Sequence, residues 1–287
     1  SSAKTIGHPL ADGMLADITE VLNTKFWEPR HGAIAEEFTA DWQPLDGGAY
    51  RGQNSNMHLT EALMAAFEAS GDRDYLTKAE SIADLVIRRA AGSVDWRVAE
   101  HFDAEWKLDK QYYHPNEMFR PAGTTPGHWL EWTRLILQLW ALGGKRIEWM
   151  PDAAKALFEQ SMALGWDNDK GGFFYTLDWD DKPAKRNKLW WPACEGAAAA
   201  HFLNEHLPSD YHEESYRRIW NVIERAFIDH RNGGWQPPNW VFDGLAPGEY
   251  LQHATAWADR GAQLIGGCCG TGPEHIQALA DGLLTSR

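Results

Sequence analysis

Two ionisable side chains lie three residues apart at the start of a predicted helix. His128 and Glu131 follow the Thr-Thr-Pro-Gly segment 124–127, which is typical of a loop that ends where a helix begins. Residues at positions i and i+3 share one helix face, so we expect the two side chains to lie together. Because histidine titrates near neutral pH and a carboxylate can orient it, such a pair can do acid–base chemistry. The same spacing is also compatible with a capping glutamate and a core histidine.

Similar polar residues recur on other helices that the apolar pattern predicts. His58 lies in the predicted helix of residues 51–72, and Glu195 falls in the first turn of a later one. The step from His58 to His128 is 70 residues and that from Glu131 to Glu195 is 64. Each predicted unit pairs a helix rich in small residues with an amphipathic helix. Such repetition indicates an array or closed ring of hairpins, which would collect these side chains around one axis.

Charge and composition exclude two classes of partner. Lys and Arg number 27 against 41 Asp and Glu, a net charge of −14, which argues against nucleic acids and anionic membranes. Sixteen tryptophans favour a pocket of sugar size with aromatic walls, because aromatic side chains commonly line such sites. No stretch has the length of a membrane span, and residues 1–10 carry no targeting signal. With only three cysteines, a soluble protein of the reducing cytoplasm is expected.

Five motifs between residues 51 and 235 resemble those of the N-acylglucosamine 2-epimerase superfamily. They are RGQNSNMHLTEA, EHFDAEW, TTPGHWLEW, WWPACEG and HRNGGW, in that order. The resemblance covers about residues 1–235 and is strongest to the aldose–ketose isomerases that act on mannose-type sugars. It implies an all-α fold, the (α/α)6 barrel of helical hairpins. It also implies isomerisation or epimerisation of a small-molecule sugar through a cis-enediol, without a cofactor.

The resemblance further implies the residues of a sugar site. His128 and Glu131 would carry out acid–base catalysis, and His58 would bind the sugar or help to open its ring. The substrate would contact five more side chains: Arg51, Asn54, Arg120, Trp191 and Glu195.

The chain departs from this family pattern at both ends. The family barrel needs about six helix pairs and roughly three and a half are predicted here, so we expect an incomplete barrel whose N-terminal part would precede residue 1. A late helix of the family supplies a second catalytic histidine, and nothing after Trp235 matches that segment. An isomerase or 2-epimerase whose activity is reduced by truncation is therefore expected.

The C-terminal segment resembles a second family. Residues 248–284 carry AQLIGGCCGTGPEHI and are similar to the end of homocysteine S-methyltransferases, in which vicinal cysteines bind zinc together with a third cysteine. Cys268 and Cys269 are therefore candidate zinc ligands, but weak ones, because two adjacent thiolates supply too few ligands. We expect a barrel domain at 1–235 and, at 236–287, a helix–strand–helix tail.

Two other functions stay open beside the sugar isomerase or epimerase. One is a fragment of a zinc-dependent homocysteine S-methyltransferase, which about 40 residues support without a third ligand. The other is an inactive sugar-binding module, which keeps the pocket wall but lacks the second histidine. The pattern predicts no particular oligomeric state.

Overall fold

The chain divides into two units, residues 1–233 and 234–287, each of which is described by itself. The structure is a computed structural model. It describes residues 7–114, 120–231, 245–262, 265–267 and 271–284. Within those ranges, no helix combines the length and the apolar character that crossing a membrane requires.

Helical hairpins build the described part of the first unit. Its helices are α1 (Ala11–Val21), α2 (Gln53–Ser70), α3 (Arg73–Ala83), α4 (Pro126–Leu142), α5 (Trp149–Gln160), α6 (Trp190–His206) and α7 (Asp210–Ala226). π-helical turns continue three of them, over Leu22–Phe26, Asp84–Ala90 and Ser161–Gly165. Helix α2 packs on α3, α4 on α5, and α6 on α7. The predicted all-α fold of repeated hairpins is thus confirmed.

The first helix of each hairpin forms an inner layer, with α4 in contact with both α2 and α6. Eleven of the 17 residues of α4 are buried, including Trp129 and Trp132. Small residues let α6 approach closely. A Cβ atom on Gly127 of α4 would lie 2.5 Å from the Trp191 ring of α6, so this crossing requires glycine. This packing brings together the N-terminal ends of α2, α4 and α6, where the polar residues lie.

Hydrogen bonds of Asn56 secure the start of α2. The helix begins at Gln53, with Gly52 as its N-cap. Asn56 is fully buried inside the helix. Its side chain accepts from the Ile34 backbone N–H at 2.9 Å and donates to the Gly52 carbonyl at 3.0 Å. Asn56 therefore ties the start of α2 to the chain segment around Ile34, because its side-chain amide bonds the backbone of both.

Three short antiparallel pairs of strands connect the helices. They are β1 (Trp27–Glu28) with β2 (Ala33–Ile34), β3 (Tyr50–Gly52) with β4 (His101–Asp103), and β5 (Thr176–Leu177) with β6 (Pro183–Lys185). The pair β3–β4 matters for the site, because Gly52 lies opposite His101. One residue further on, the Gln53 backbone N–H donates to the Glu100 carbonyl at 3.1 Å. The pairing thus fixes Glu100 beside the first turn of α2.

In the second unit, two helices pack on each other. They are α8 (Pro247–Asp259) and α9 (Pro273–Leu279), and a π-helical turn, Ala280–Leu284, continues α9. Tyr250, Ala254 and Leu279 form a small apolar cluster between them. The predicted strand falls largely outside the described residues, and residues 265–267 form no strand. Cys268 and Cys269 also lie outside the described residues.

Candidate active site

His128, in the first turn of α4, is hydrogen bonded to the carboxylate of Glu100. Its Nδ1 lies 2.9 Å from one carboxylate oxygen and 3.0 Å from the other. Only 4% of the Glu100 residue is exposed. An ionised carboxylate can only accept, so Nδ1 carries the hydrogen and Nε2 keeps its lone pair whenever the imidazole is neutral. Nε2 has no hydrogen-bond partner among the residues the structure describes.

Gln53 holds this pair in place from α2. Its side chain is fully buried, and its amide nitrogen donates to Glu100 Oε2 at 2.9 Å. The Trp132 indole donates to Gln53 Oε1 at 2.7 Å, which fixes the orientation of the amide because an indole N–H can only donate. The Gln53 amide nitrogen also lies 3.0 Å from His128 Nδ1, but two donors do not bond each other. Gln53 therefore acts on the histidine through Glu100.

The charges of the pair reinforce each other. Burial alone would lower the pKa of His128, but the negative charges of Glu100 and then of Glu131 and Glu195 together outweigh it, so the net pKa of the imidazole is raised. Burial alone would raise the pKa of Glu100, yet His128 and the Gln53 amide together hold it below its usual value. Glu100 is thus a permanent carboxylate at neutral pH, and His128 can exchange a proton through Nε2.

A second pair joins α2 and α4 beside the first. His58 Nδ1 lies 3.7 Å from Glu131 Oε1, with 57% of the His58 side chain exposed and 8% of the Glu131 side chain. Burial, and then the negative charge of Glu195, raises the pKa of Glu131 to about 7. Burial, and then the proximity of His128, lowers the pKa of His58. Glu131 can therefore hold or release a proton near neutral pH, next to a histidine that is mainly uncharged.

Arg134, one turn after Glu131, connects three inner helices. Its Nε donates to Glu195 Oε2 on α6 at 2.9 Å, and its Nη1 donates to Glu61 Oε1 on α2 at 3.2 Å. Nη2 lies 4.0 Å from Glu131 Oε1. The guanidinium thus pairs with Glu195 and leaves Glu131 without a direct hydrogen bond from it.

Trp191 lies beside the His128 ring, and Asn54 follows Gln53 at the start of α2. The Trp191 ring is 5.2 Å from the His128 ring, centroid to centroid, and its plane is tilted by 32°. Asn54 is exposed in the first turn of α2. Trp191 offers an apolar face next to the catalytic candidate, as sugar rings commonly require.

Arg51 is engaged elsewhere. Its Nε donates to Glu28 Oε2 at 2.8 Å. Its Nη1 donates to the carbonyl oxygens of Gly48 and Tyr50, each at 2.7 Å. Only 8% of the side chain is exposed. The guanidinium is therefore committed to Glu28 and the neighbouring backbone.

Arg120 lines the same cavity as Arg51. Its guanidinium lies 4.3 Å from the centre of the Tyr50 ring and pairs with Glu37. Arg51 and Arg120 both line a cavity of about 290 Å³, whose lining includes neither His58 nor His128. These two predicted sugar contacts therefore line one cavity together, and neither histidine lines it.

The described residues contain one group with the spacing of a metal site. Ligand atoms of His58, Glu61 and Glu131 all lie within 4.8 Å of one another. Arg134 lies 3.2 Å from Glu61, however, and already supplies positive charge there. Burial raises the pKa of Cys194 to about 11, so that thiol stays protonated and is a poor metal ligand. We assign no metal to these residues.

Three residues of the site are absent from the sequence-based set: Gln53, Glu100 and Arg134. Gln53 and Glu100 stand in two of the quoted motifs, RGQNSNMHLTEA and EHFDAEW, but no spacing rule connects them with His128. Arg134 follows Glu131 by three residues, a spacing that predicts contact on a helix. The i, i+3 spacing is therefore the sequence signal that indicates Arg134.

Sequence comparison decides the family. The family model described as N-acylglucosamine 2-epimerase (GlcNAc 2-epimerase) matches residues 1–239. The chain belongs to the N-acylglucosamine 2-epimerase family. This member is 42% identical over 243 residues to the D-mannose isomerase of Pseudomonas cannabina pv. alisalensis, which covers 82% of this chain and 58% of the relative. A crystal structure of D-mannose isomerase superposes with a TM-score of 0.77 at 33% identity, covering 81% of this chain and 59% of that one.

These comparisons confirm the predicted resemblance and the (α/α)6 barrel type of the fold. This epimerase-family chain spans less than three fifths of the length of those relatives.

A second family model, described as homocysteine S-methyltransferase, matches residues 203–283. There the chain is 37% identical over 79 residues to a homocysteine S-methyltransferase of Bacillus subtilis, covering 26% of this chain and 24% of that protein. The predicted resemblance of the tail is confirmed as well.

Proposed function

We propose that this chain is a sugar isomerase that interconverts a mannose-type aldose and its ketose. The observation that carries the proposal is the buried Glu100–His128 pair, which leaves Nε2 of His128 as a proton acceptor. Glu131 lies beside this pair, and its pKa of about 7 makes it a proton donor near neutral pH. The D-mannose isomerase relatives support mannose as the substrate to test first.

The reaction needs one base and one acid. In the open-chain aldose, the base takes the proton from C2 while the acid protonates the carbonyl oxygen on C1, which gives a cis-enediol. Delivery of a proton to C1 and loss of the proton from the C2 hydroxyl then give the ketose. Delivery of the proton back to C2 from the opposite face would instead give the 2-epimer. No cofactor is required, because electrons only move within the sugar.

His128 is the base in this scheme. The Glu100 carboxylate fixes the tautomer with the hydrogen on Nδ1 and stabilises the imidazolium that forms when Nε2 takes the C2 proton. Glu131 is the acid, because its raised pKa keeps a large fraction protonated at neutral pH. His58, which is exposed and 3.7 Å from Glu131, would bind the sugar or help to open its ring.

The family resemblance supports the remaining sugar contacts of the proposal. Trp191 would pack against the sugar ring, and Asn54 and Glu195 would bind its hydroxyl groups. Arg51 and Arg120 are left out of the proposed site, because their guanidinium groups are engaged on the separate cavity. The methyltransferase alternative is not favoured, since the tail corresponds to only 24% of such a protein.

Proton exchange tests the proposal directly. The 287-residue chain is incubated with D-mannose in D2O, and NMR follows both ketose formation and deuterium incorporation next to the carbonyl. We expect both signals in the wild type and in His201→Ala, a matched variant at an exposed histidine. We expect neither in His128→Ala. Binding of mannose without exchange would instead favour the inactive sugar-binding module, and exchange that survives in His128→Ala would refute the assigned base.

A further inference from the structure

Three glutamate side chains face the guanidinium of Arg134, and each comes from a different inner helix. Glu61 belongs to α2, Glu131 to α4 and Glu195 to α6. Carboxylate oxygens of Glu61 and Glu131 lie within 4.8 Å of each other. Like charges this close disfavour each other, and one guanidinium offsets only one of them. We therefore expect one of the three carboxyl groups to keep its proton.

The guanidinium distributes its hydrogen bonds unevenly among the three carboxyl groups. Nε donates to Glu195 Oε2 at 2.9 Å, and Nη1 donates to Glu61 Oε1 at 3.2 Å. Nη2 lies 4.0 Å from Glu131 Oε1, which is too far for a hydrogen bond. Charge-assisted hydrogen bonds favour the ionised form of a carboxyl group. Arg134 therefore stabilises the carboxylates of Glu195 and Glu61 more than that of Glu131.

Burial acts in the same direction. Only 8% of the Glu131 side chain is exposed, compared with 23% of Glu195 and 48% of Glu61. Loss of solvent disfavours the charged form most at the most buried of the three groups, which is Glu131. Burial and then the charge of Glu195 are the main reasons why the pKa of Glu131 is raised to about 7. The charged or titratable groups that face Glu131 among the described residues are His58 and Glu61 on α2, His128 and Arg134 on α4, and Glu195 on α6.

We infer that Arg134 selects Glu131, out of these three glutamates, as the one that carries a proton at neutral pH. Arg134 holds Glu195 and Glu61 as carboxylates, and the negative charge of Glu195 then keeps the proton on Glu131. The guanidinium thus acts on the reaction through the proton of another side chain. Where it names Glu131 as the acid of the isomerisation, the inference rests on the proposed function.

Titration of the carboxyl groups tests the inference without any sugar. The full 287-residue chain is labelled with ¹³C at the glutamate carboxyl carbons, and NMR follows their chemical shifts between about pH 5.5 and pH 9. Each of the variants Glu61→Gln, Glu131→Gln and Glu195→Gln removes one signal and so assigns it. Arg134→Met is compared with Arg134→Lys, which keeps a positive charge but not the planar fork of donors. The matched control is Arg217→Met, which breaks an exposed Arg–Glu pair on α7.

In the wild type we expect the Glu131 carbon, alone of the three, to titrate through this range with a midpoint near pH 7. In Arg134→Met the Glu195 carbon should titrate with it as a coupled pair. The Glu131 midpoint should also rise by about one pH unit or more, because a nearby guanidinium lowers the pKa of a carboxyl group by at least that much. Arg134→Lys should give a smaller rise, and Arg217→Met none.

An arginine that only ties the helices together would lower the melting temperature when replaced and leave the Glu131 titration unchanged. That result in Arg134→Met would overturn the inference. So would a wild type in which Glu61 or Glu195 holds the proton. If Arg134→Met does not fold, Arg134→Lys decides in its place, and a Glu131 midpoint identical to that of the wild type would overturn the inference.

Turnover of D-mannose separates this inference from the proposed function. The high-pH limb of kcat reports loss of the proton from the acid, so it should move upward together with the Glu131 midpoint in Arg134→Met. A chain that shows the expected titrations but no turnover would uphold the selection of Glu131 by Arg134 and refute the isomerase proposal.

Discussion

His128 Nδ1 lies 2.9 Å from a carboxylate oxygen of Glu100, although 28 residues separate the two in the chain. The buried carboxylate selects one tautomer of the imidazole, raises its pKa and stabilises its protonated form. The relationship is the one that orients a catalytic histidine through a buried acid. It makes Glu100 the positioning residue of the proposed site.

Replacement of Glu100 by Gln should impair the orientation and charge stabilisation of His128 without preventing the chain from folding. The amide keeps the shape of the side chain but removes the charge, so we expect kcat to fall by about 10²-fold or more. The pKa of His128 should fall as well, because Glu100 is the largest of the influences that raise it. The acid limb of kcat/KM against pH then moves to lower pH. An unchanged acid limb with wild-type kcat would contradict the assigned role.

Glu131 should make stability depend on pH. Its folded pKa of about 7 lies above the usual glutamate value of 4.5, so the folded chain binds this proton more tightly than the unfolded chain. Stability should therefore fall as pH rises from about 4.5 to above 7, by up to roughly 3 kcal/mol at 1.36 kcal/mol per pKa unit. Glu131→Gln removes this dependence. Urea unfolding at pH 5 and pH 8.5 measures it, with the variant gaining stability over the wild type only at the higher pH.

Gly127 should resist substitution because of Trp191. A Cβ atom there would lie 2.5 Å from two carbon atoms of the indole and 3.0 Å from Pro192 Cγ. We expect Gly127→Ala to destabilise the chain by about 1–3 kcal/mol, the usual cost of overpacking. Gly13→Ala is the matched control, since nothing lies within 4 Å of its Cβ position in α1. It should be neutral or stabilising, and equal thermal shifts in the two variants would contradict the packing argument.

Turnover should be far below that of a full-length relative. The sequence contains no match to the late histidine of the resembling family, and one general acid–base group contributes about 10²- to 10⁴-fold. We expect a deficit of that order against the Pseudomonas D-mannose isomerase, with D-fructose measured under identical conditions. Equal rates would contradict this expectation and would mean that His128 and Glu131 are sufficient for full turnover.

Zinc should contribute nothing to stability. The thiol of Cys194 is protonated at neutral pH, because burial raises its pKa to about 11, and adjacent Cys268 and Cys269 alone are too few ligands for a closed site. We expect the melting temperature to be the same with and without a chelator. Metal analysis of the purified protein that finds one firmly bound zinc per chain would overturn this expectation.

Local spacing in the sequence is sufficient to predict the helical part of the fold. Helix periodicity placed the hairpins, and the Thr-Pro-Gly segment placed the start of α4 at Pro126. The i, i+3 spacing put His128 and Glu131 on one face of α4, and the motifs identified the family. Apart from the family resemblance, these features depend on residues within one or two helical turns of each other, so helix periodicity can detect them.

Tertiary structure decided which side chains surround His128. Glu100 reaches it through the pairing of β3 with β4, and Gln53 meets Glu100 across 47 residues. Arg134 pairs with Glu195 across 61 residues because α4 packs on α6. Arg51 donates to Glu28 across 23 residues, because a buried guanidinium requires a carboxylate partner. Contacts between distant segments depend on which elements pack together, and no spacing along the chain encodes that choice.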